Sequence, residues 1–268
     1  MKNRPIGVFD SGLGGLTVVK EIKRILPKES IVYLGDTARV PYGTRSKETI
    51  IKFSKEDVSF LLKKKVKCIV IACNSVSSVA ADILRKNTDL PIFDVINPTC
   101  DYLGHSKKYK KAGIIGTRAT IKSDIYRKKI NKLNKKVKIF QKEAPLLVPL
   151  IEEGQKKQKF TEDILLSYLK DFKKQKVDVV VLACTHYPVL LDLFENILGK
   201  KVKLLDPAKF VALKLKKYLD DNNLRSIDII NSSYFFAVTD LTEQFRKQIK
   251  IFFGQNLNLK LVKVNLTK

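Results

Sequence analysis

Two short strings, Val70-Ile71-Ala72-Cys73-Asn74-Ser75 and Val181-Leu182-Ala183-Cys184-Thr185-His186, constrain the fold of this chain more than any other feature. Each carries an apolar run of strand length into a cysteine and then into a polar pair. Cys73 follows Asp10 by 63 residues and Cys184 follows Thr117 by 67, and both Asp10 and Thr117 close an earlier apolar run. From Asp10 to Asp36 and from Thr117 to Glu143 the interval is 26 in both cases. A shared spacing with a matched cysteine points to two copies of one supersecondary unit.

The rest of the chain fits that reading. Strand-length apolar runs at 6–9, 31–34, 68–72, 92–95, 113–115, 137–140, 177–183 and 202–205 alternate with helical periodicity at 16–26, 47–63, 76–85, 123–133, 161–174, 189–198, 209–219 and 241–253. This alternation is the pattern of an α/β protein with mostly parallel sheets flanked by helices. Ligands of such sheets bind beyond the carboxyl ends of the strands, which is where both cysteines fall. If the two copies face each other, the thiols approach one ligand from opposite sides.

Composition narrows the class of partner. The apolar stretches are all shorter than the roughly 18 residues of a membrane helix. The start, Met1-Lys2-Asn3-Arg4 before 6–9, is too short in its apolar part for a signal peptide, so the chain is expected in the cytoplasm, with no membrane partner. Against 27 acidic residues stand 52 basic ones, a formal charge of +25 that invites a nucleic-acid reading. The lysines are nevertheless spread along the whole chain, tryptophan is absent, and no basic and aromatic residues interleave as base-stacking surfaces require. A lysine coat on an ordinary enzyme is therefore preferred, and a basic nucleic-acid-associated protein stands as the rival from another class.

Four segments carry chemistry. Phe9-Asp10-Ser11-Gly12-Leu13-Gly14-Gly15 joins a strand to a helix and offers backbone N–H groups to an anion. It departs from a dinucleotide fingerprint, because the third glycine position is Thr17 and Asp10 would sit beside the pyrophosphate. Gly35-Asp36-Thr37-Ala38-Arg39-Val40-Pro41-Tyr42-Gly43 is a polar turn of the kind that carries function or simply reverses the chain. At Cys73-Asn74-Ser75 and Cys184-Thr185-His186, a thiol at a strand end and helix start is expected to have its pKa lowered by the helix dipole. A Cys184–His186 nucleophile leaves Cys73 unexplained, and residues two apart diverge on a strand or helix. Zinc has only Cys-x-His to hold it, and a Cys73–Cys184 disulfide is disfavoured in a reducing compartment. Cys68 and Cys100 lack polar neighbours and read as buried packing residues.

Racemisation uses both cysteines. One group removes an α-proton while the opposite group returns one to the other face, so two equivalent acid/base residues follow naturally. Asp10 and His186 are candidates to assist, and Ser11, Asn74, Ser75 and Thr185 to hold the ligand's carboxylates and ammonium.

These motifs, with Ala-Cys-Thr-His-Tyr-Pro at 183–188, closely resemble those of the cofactor-independent glutamate racemases of bacterial cell-wall synthesis, over roughly 6–207. The resemblance implies two pseudo-symmetric α/β domains with the active site between them and no cofactor or metal. It implies interconversion of L- and D-glutamate, supplying D-glutamate for peptidoglycan, with Cys73 and Cys184 as the two acid/base residues and Asp10 and His186 assisting. Asp10, Ser11, Pro41, Tyr42, Gly43, Asn74, Ser75, Thr117, Thr120, Glu152, Thr185 and His186 would bind substrate. Glutamate is then the small-molecule partner, and a homodimer is compatible with the resemblance. A racemase of aspartate or another small acid is the nearest alternative.

Ser75 stands where the family commonly has threonine, and Ala144 where many members have a cysteine. The tail after Pro207 matches loosely and is expected to return to the opening unit, its terminal helix packed there. The expected domains are therefore 1–96 with 208–268, and 97–207.

Overall fold

The computed structural model describes residues 2–226 and 232–264. Residue 1 and the segments 227–231 and 265–268, which the expected first domain includes, lie outside the described residues.

Parallel strands covered on both faces must be apolar on both faces, and the central strands of this chain are. The first sheet draws on β1 (Ile6–Asp10), β2 (Ile31–Gly35), β3 (Cys68–Ile71) and β4 (Ile92–Asp94). The second is made of β5 (Lys111–Gly116), β6 (Lys138–Glu143), β7 (Val179–Ala183) and β8 (Lys203–Leu205). Two further strands, β9 (Tyr234–Val238) and β10 (Leu259–Leu261), extend the first sheet to the order β10-β9-β2-β1-β3-β4, while the second reads β6-β5-β7-β8. Every pairing is parallel. The order β2-β1-β3-β4 thus recurs as β6-β5-β7-β8, which is the internal repeat in structural form. Its register differs by one residue from the sequence alignment: continuing β1 sets Asp10 beside Ala72, whereas Gly116, not Thr117, faces Ala183. Thr117 is instead the N-cap of the following helix, its hydroxyl accepting from Thr120 N.

The helices are α1 (Leu16–Ile25), α2 (Lys47–Lys63), α3 (Asn74–Val79), α4 (Ala81–Lys86), α5 (Ile96–His105), α6 (Arg118–Lys122), α7 (Ile125–Leu133), α8 (Leu147–Glu152), α9 (Lys159–Gln175), α10 (Leu191–Leu198), α11 (Pro207–Asp221) and α12 (Glu243–Phe253). Their ends follow local chemistry. Ser46, Asp206 and Thr242 cap α2, α11 and α12 by accepting from Thr49 N, Ala208 N and Phe245 N. The helix expected over 76–85 is broken at Ala80, and that over 123–133 is preceded by α6 and by Asp124 in the left-handed region at φ 57°. Helix α5 was not expected, because Pro98 and Gly104 lower its propensity. Pro98 falls in the first turn, where no intrahelical N–H is lost, and Asp94 Oδ1 accepts from Ile96 N and Asn97 N at 2.8 Å.

The tail does return to the first sheet, and it does so by strand pairing as well as by a helix. β9 lies along β2 from Ile31↔Tyr234 to Gly35↔Val238, and α12 packs on α1. Helix α12 also touches α8 across the cleft between the sheets.

Candidate active site

The carboxyl ends of β1, β3 and β7 converge on one small cavity. Cys73 leaves β3 just before α3, and Cys184 leaves β7, so the repeat delivers both thiols to one space, whose walls also include Ser11, Asn74, Ser75, Thr185 and His186. Pro41, Tyr42 and Gly43 from the loop after β2 and Thr117 from the loop after β5 complete the polar part. Val40 and Val148, which the sequence did not single out, supply apolar wall.

Asp10, Thr120 and Glu152 stand one layer behind. Asp10 is fully buried, accepting from Gly12 N at 3.1 Å and from the Thr185 hydroxyl at 3.4 Å. Thr120 shares a hydrogen bond of 3.1 Å with Thr117, which in turn meets Ser75 at 2.9 Å. Glu152 Oε1 lies 3.0 Å from His186 Nε2.

The two thiols have unlike surroundings. Cys73 Sγ faces Ser11 Oγ at 3.6 Å. Its expected depression by a helix dipole is overturned: burial, with the charge of Asp10 adding, pushes the Cys73 thiol up to about 12, although Val76 N–H and Ser11 pull the other way. Helix α3 has only six residues, and its partial charge does not offset the burial of the thiol. Cys184 Sγ lies 3.9 Å from His186 Nδ1. The expectation that these side chains diverge fails, because β7 ends at Ala183 and the chain turns into a 3-10 turn at Tyr187–Leu190, so neither strand nor α-helix spacing applies. Burial alone would lower the pKa of His186, but its hydrogen bonds to Cys184 and Glu152 and the charge of Glu152 raise it well above the ordinary histidine value. The Cys184–His186–Glu152 row is therefore a thiol next to an imidazolium that a carboxylate holds charged. Burial likewise raises the pKa of Asp10, against the pull of His186 and the Gly12 N–H.

Close approaches lock these groups. A Cβ on Gly14 would come 2.4 Å from Thr185 Oγ1 and 2.5 Å from His186 Nδ1, and one on Gly43 would come 2.6 Å from Thr117 Cβ. Tyr126, buried on α7, donates to Asn74 Oδ1 at 2.8 Å, which leaves the Asn74 amide N–H groups as the donors for the cavity. Cys68 and Cys100 are buried, all four cysteines are free, and no cluster of His, Cys, Asp and Glu able to hold a metal occurs among the described residues.

The arrangement can take a proton from one face of a small anion and return it to the other, while hydroxyl and amide donors hold the ligand's charged ends. A sequence profile of the Asp/Glu/Hydantoin racemase family matches residues 6–215. The glutamate racemase of Chlorobaculum parvum is 39% identical over 94% of this chain and 93% of its own. That of Aquifex pyrophilus is 42% identical over 96% of both chains. The crystal structure of glutamate racemase from Francisella tularensis in complex with D-glutamate superposes with a TM-score of 0.92 at 38% identity, covering 98% of each chain.

Proposed function

The chain belongs to the Asp/Glu/hydantoin racemase family, and from that premise we propose that it interconverts L- and D-glutamate through Cys73 and Cys184, supplying D-glutamate for peptidoglycan. The observation that carries the reading is that both cysteines, related by the internal repeat, line one small cavity.

In one direction a thiolate at one cysteine takes the α-proton, the α-carbon flattens, and the thiol of the other cysteine delivers a proton to the opposite face. In the other direction the roles exchange. The charge that develops on the substrate carboxylate is met by preorganised donors, for which Ser11, Asn74, Ser75 and Thr185 are the candidates on the wall. His186, held charged by Glu152, stands beside Cys184 Sγ, and Ser11 faces Cys73. The proton moves only between carbon and sulfur, so the reaction calls for no electron acceptor. We place the domains at 1–96 with 208–268 and at 97–207, since strands within 6–94 and 234–261 share one sheet and those within 111–205 the other. The enzyme is read as cytoplasmic, where thiols stay reduced.

Circular dichroism of the protein incubated separately with L-glutamate, D-glutamate and L-aspartate, beside Cys73→Ser and Cys184→Ser, tests the reading. Decay of the glutamate signal to zero from both enantiomers, abolished or severely slowed in each variant, is the expected result. Decay with aspartate alone would change the substrate, and a folded protein that racemises neither would overturn the reading.

A further inference from the structure

The wall segment Val40–Gly43 is held from behind by an unusually acidic buried cluster. Asp36, Glu56 and Asp57 are all buried, and the cation among them is the guanidinium of Arg39. Arg39 donates from Nε to Asp36 Oδ2, from Nη1 to Glu56 Oε2 and from Nη2 to Asp57 Oδ1 at 3.3 Å. Tyr42, a residue of the cavity wall, sets its phenol between Asp36 Oδ2 and Asp57 Oδ2, the latter at 3.2 Å. Asp36 Oδ1 accepts the Thr239 hydroxyl at 2.8 Å.

Two counts lead to one conclusion. Three carboxylates against one guanidinium would leave two net negative charges in a site where an unpaired charge is strongly disfavoured. The hydrogen count is sharper, because a phenol has one proton to give and here it touches two carboxylate oxygens. Both Asp36 oxygens already face donors, Arg39 and Thr239, so they act as acceptors. Asp57 Oδ2 has the phenol as its hydrogen-bond partner. With the phenol proton given to Asp36, a direct two-centre hydrogen bond between Asp57 Oδ2 and the Tyr42 oxygen takes its proton from Asp57.

We infer that Asp57 is a neutral carboxylic acid that donates to the Tyr42 oxygen, and that it is a positioning residue for the substrate-binding loop at Val40–Gly43. Burial and the charge of Asp36 raise the pKa of Asp57 well above the carboxylate range, in agreement. The groups facing it are Asp36, Arg39, Tyr42 and Glu56. Among the neighbours packed on α2, α3 carries no titratable side chain and Arg85 of α4 pairs with Asp82 and Asp94. On β1, Asp10 is engaged by Gly12 and Thr185. With that proton, Asp57 donates to Tyr42 and Tyr42 to Asp36, which accepts from Thr239 on its other oxygen, so the network ties the loop on one side to α2 and on the other to the residue after β9. The turn that follows β9 thereby supports the binding loop.

The kinetic half of this inference rests on the glutamate reading above; the protonation half does not. An infrared difference spectrum of wild type minus Asp57→Asn at neutral pH is expected to show the carbonyl stretch of one neutral carboxylic acid, whatever the substrate. Its absence would overturn the inference even if glutamate is racemised. Kinetically, the Asn amide can donate where the acid did, so Asp57→Asn should keep KM within about twofold of wild type. Asp57→Ala, which removes the donor to a buried partner, should raise KM about tenfold with a smaller change in kcat. A KM in Asp57→Asn as high as in Asp57→Ala would overturn the positioning role. Should Asp57→Ala fail to fold, the infrared band and the KM of Asp57→Asn against wild type still decide.

Discussion

Replacing Glu152 by Gln keeps the shape of the row behind Cys184 and removes its charge. Glu152 and His186 are 3.0 Å apart, with side chains 19% and 3% exposed, so the pair is little screened by solvent. A hydrogen bond to a charged group at such a site is worth about 1.5–3 kcal/mol, or roughly ten- to a hundredfold in the balance between imidazolium and imidazole. The variant should lose that factor in kcat/KM wherever the rate needs the imidazolium, and the alkaline limb of the pH profile should move to lower pH. Racemisation followed by circular dichroism gives the profile, and an NMR titration of His186 reports the cause directly. Stability carries the same signature with a definite sign. The folded pKa of His186 is raised, so the pair's contribution is complete below the unfolded value of about 6.5 and is lost as pH rises through the folded one. The deficit in Tm of Glu152→Gln should therefore be largest at acidic pH and shrink as pH rises. An alkaline limb and a His186 titration that both stay where they are in wild type would refute the reasoning.

Gly14→Ala places a Cβ 2.4 Å from Thr185 Oγ1 and 2.5 Å from His186 Nδ1; both are anchored, so kcat should fall at least about tenfold and stability by about 1–3 kcal/mol, read by racemisation and urea unfolding. Tyr126→Phe leaves Asn74 Oδ1 without its donor and frees the amide to turn, which should raise KM about fivefold with little effect on kcat. Lys67→Met strips the buried Glu29 of its cation, in a pair whose side chains are at most 2% exposed. Chemical denaturation should show a loss of about 3–5 kcal/mol, while kcat measured well below the melting temperature stays unchanged.

Legibility in the sequence followed burial. The central strands of the two repeats could be read because both of their faces are covered, so β1 and β7 are apolar at nearly every position, while the edge strands β6 and β8 carry only part of that signal. Strand β10, Leu259-Lys260-Leu261, is short and largely exposed and offers no such signal, and β9 is an isolated aromatic run in a lysine-rich tail. Cys73, Cys184 and His186 declare themselves by their neighbours in the chain. What cannot be read is chemistry assembled from distant elements. Asp57 and Glu56 lie on a helix where charge normally marks the solvent face, yet both are buried. Tyr126 reaches Asn74 from another helix, and the thiol pKa of Cys73 depends on an enclosure no local string reveals.

The repeat makes the two thiols equivalent in topology, and their partners make them unequal in chemistry. Cys73 has a serine hydroxyl and a nearby buried carboxylate; Cys184 has an imidazolium backed by Glu152. In racemisation that inequality has a bounded consequence. Two enantiomers have the same free energy in water, so the equilibrium constant is unity and kcat/KM must be equal in the two directions, however different the thiols. An uneven pair of acid/base groups can alter only how each kcat/KM divides into kcat and KM, through the protonation state the free enzyme prefers and the fraction of it that each enantiomer can use. A site built from two copies of one unit therefore has no thermodynamic reason to stay symmetric. The partners can therefore differ without penalty to the overall reaction, and here they are an imidazolium on one side and a hydroxyl on the other.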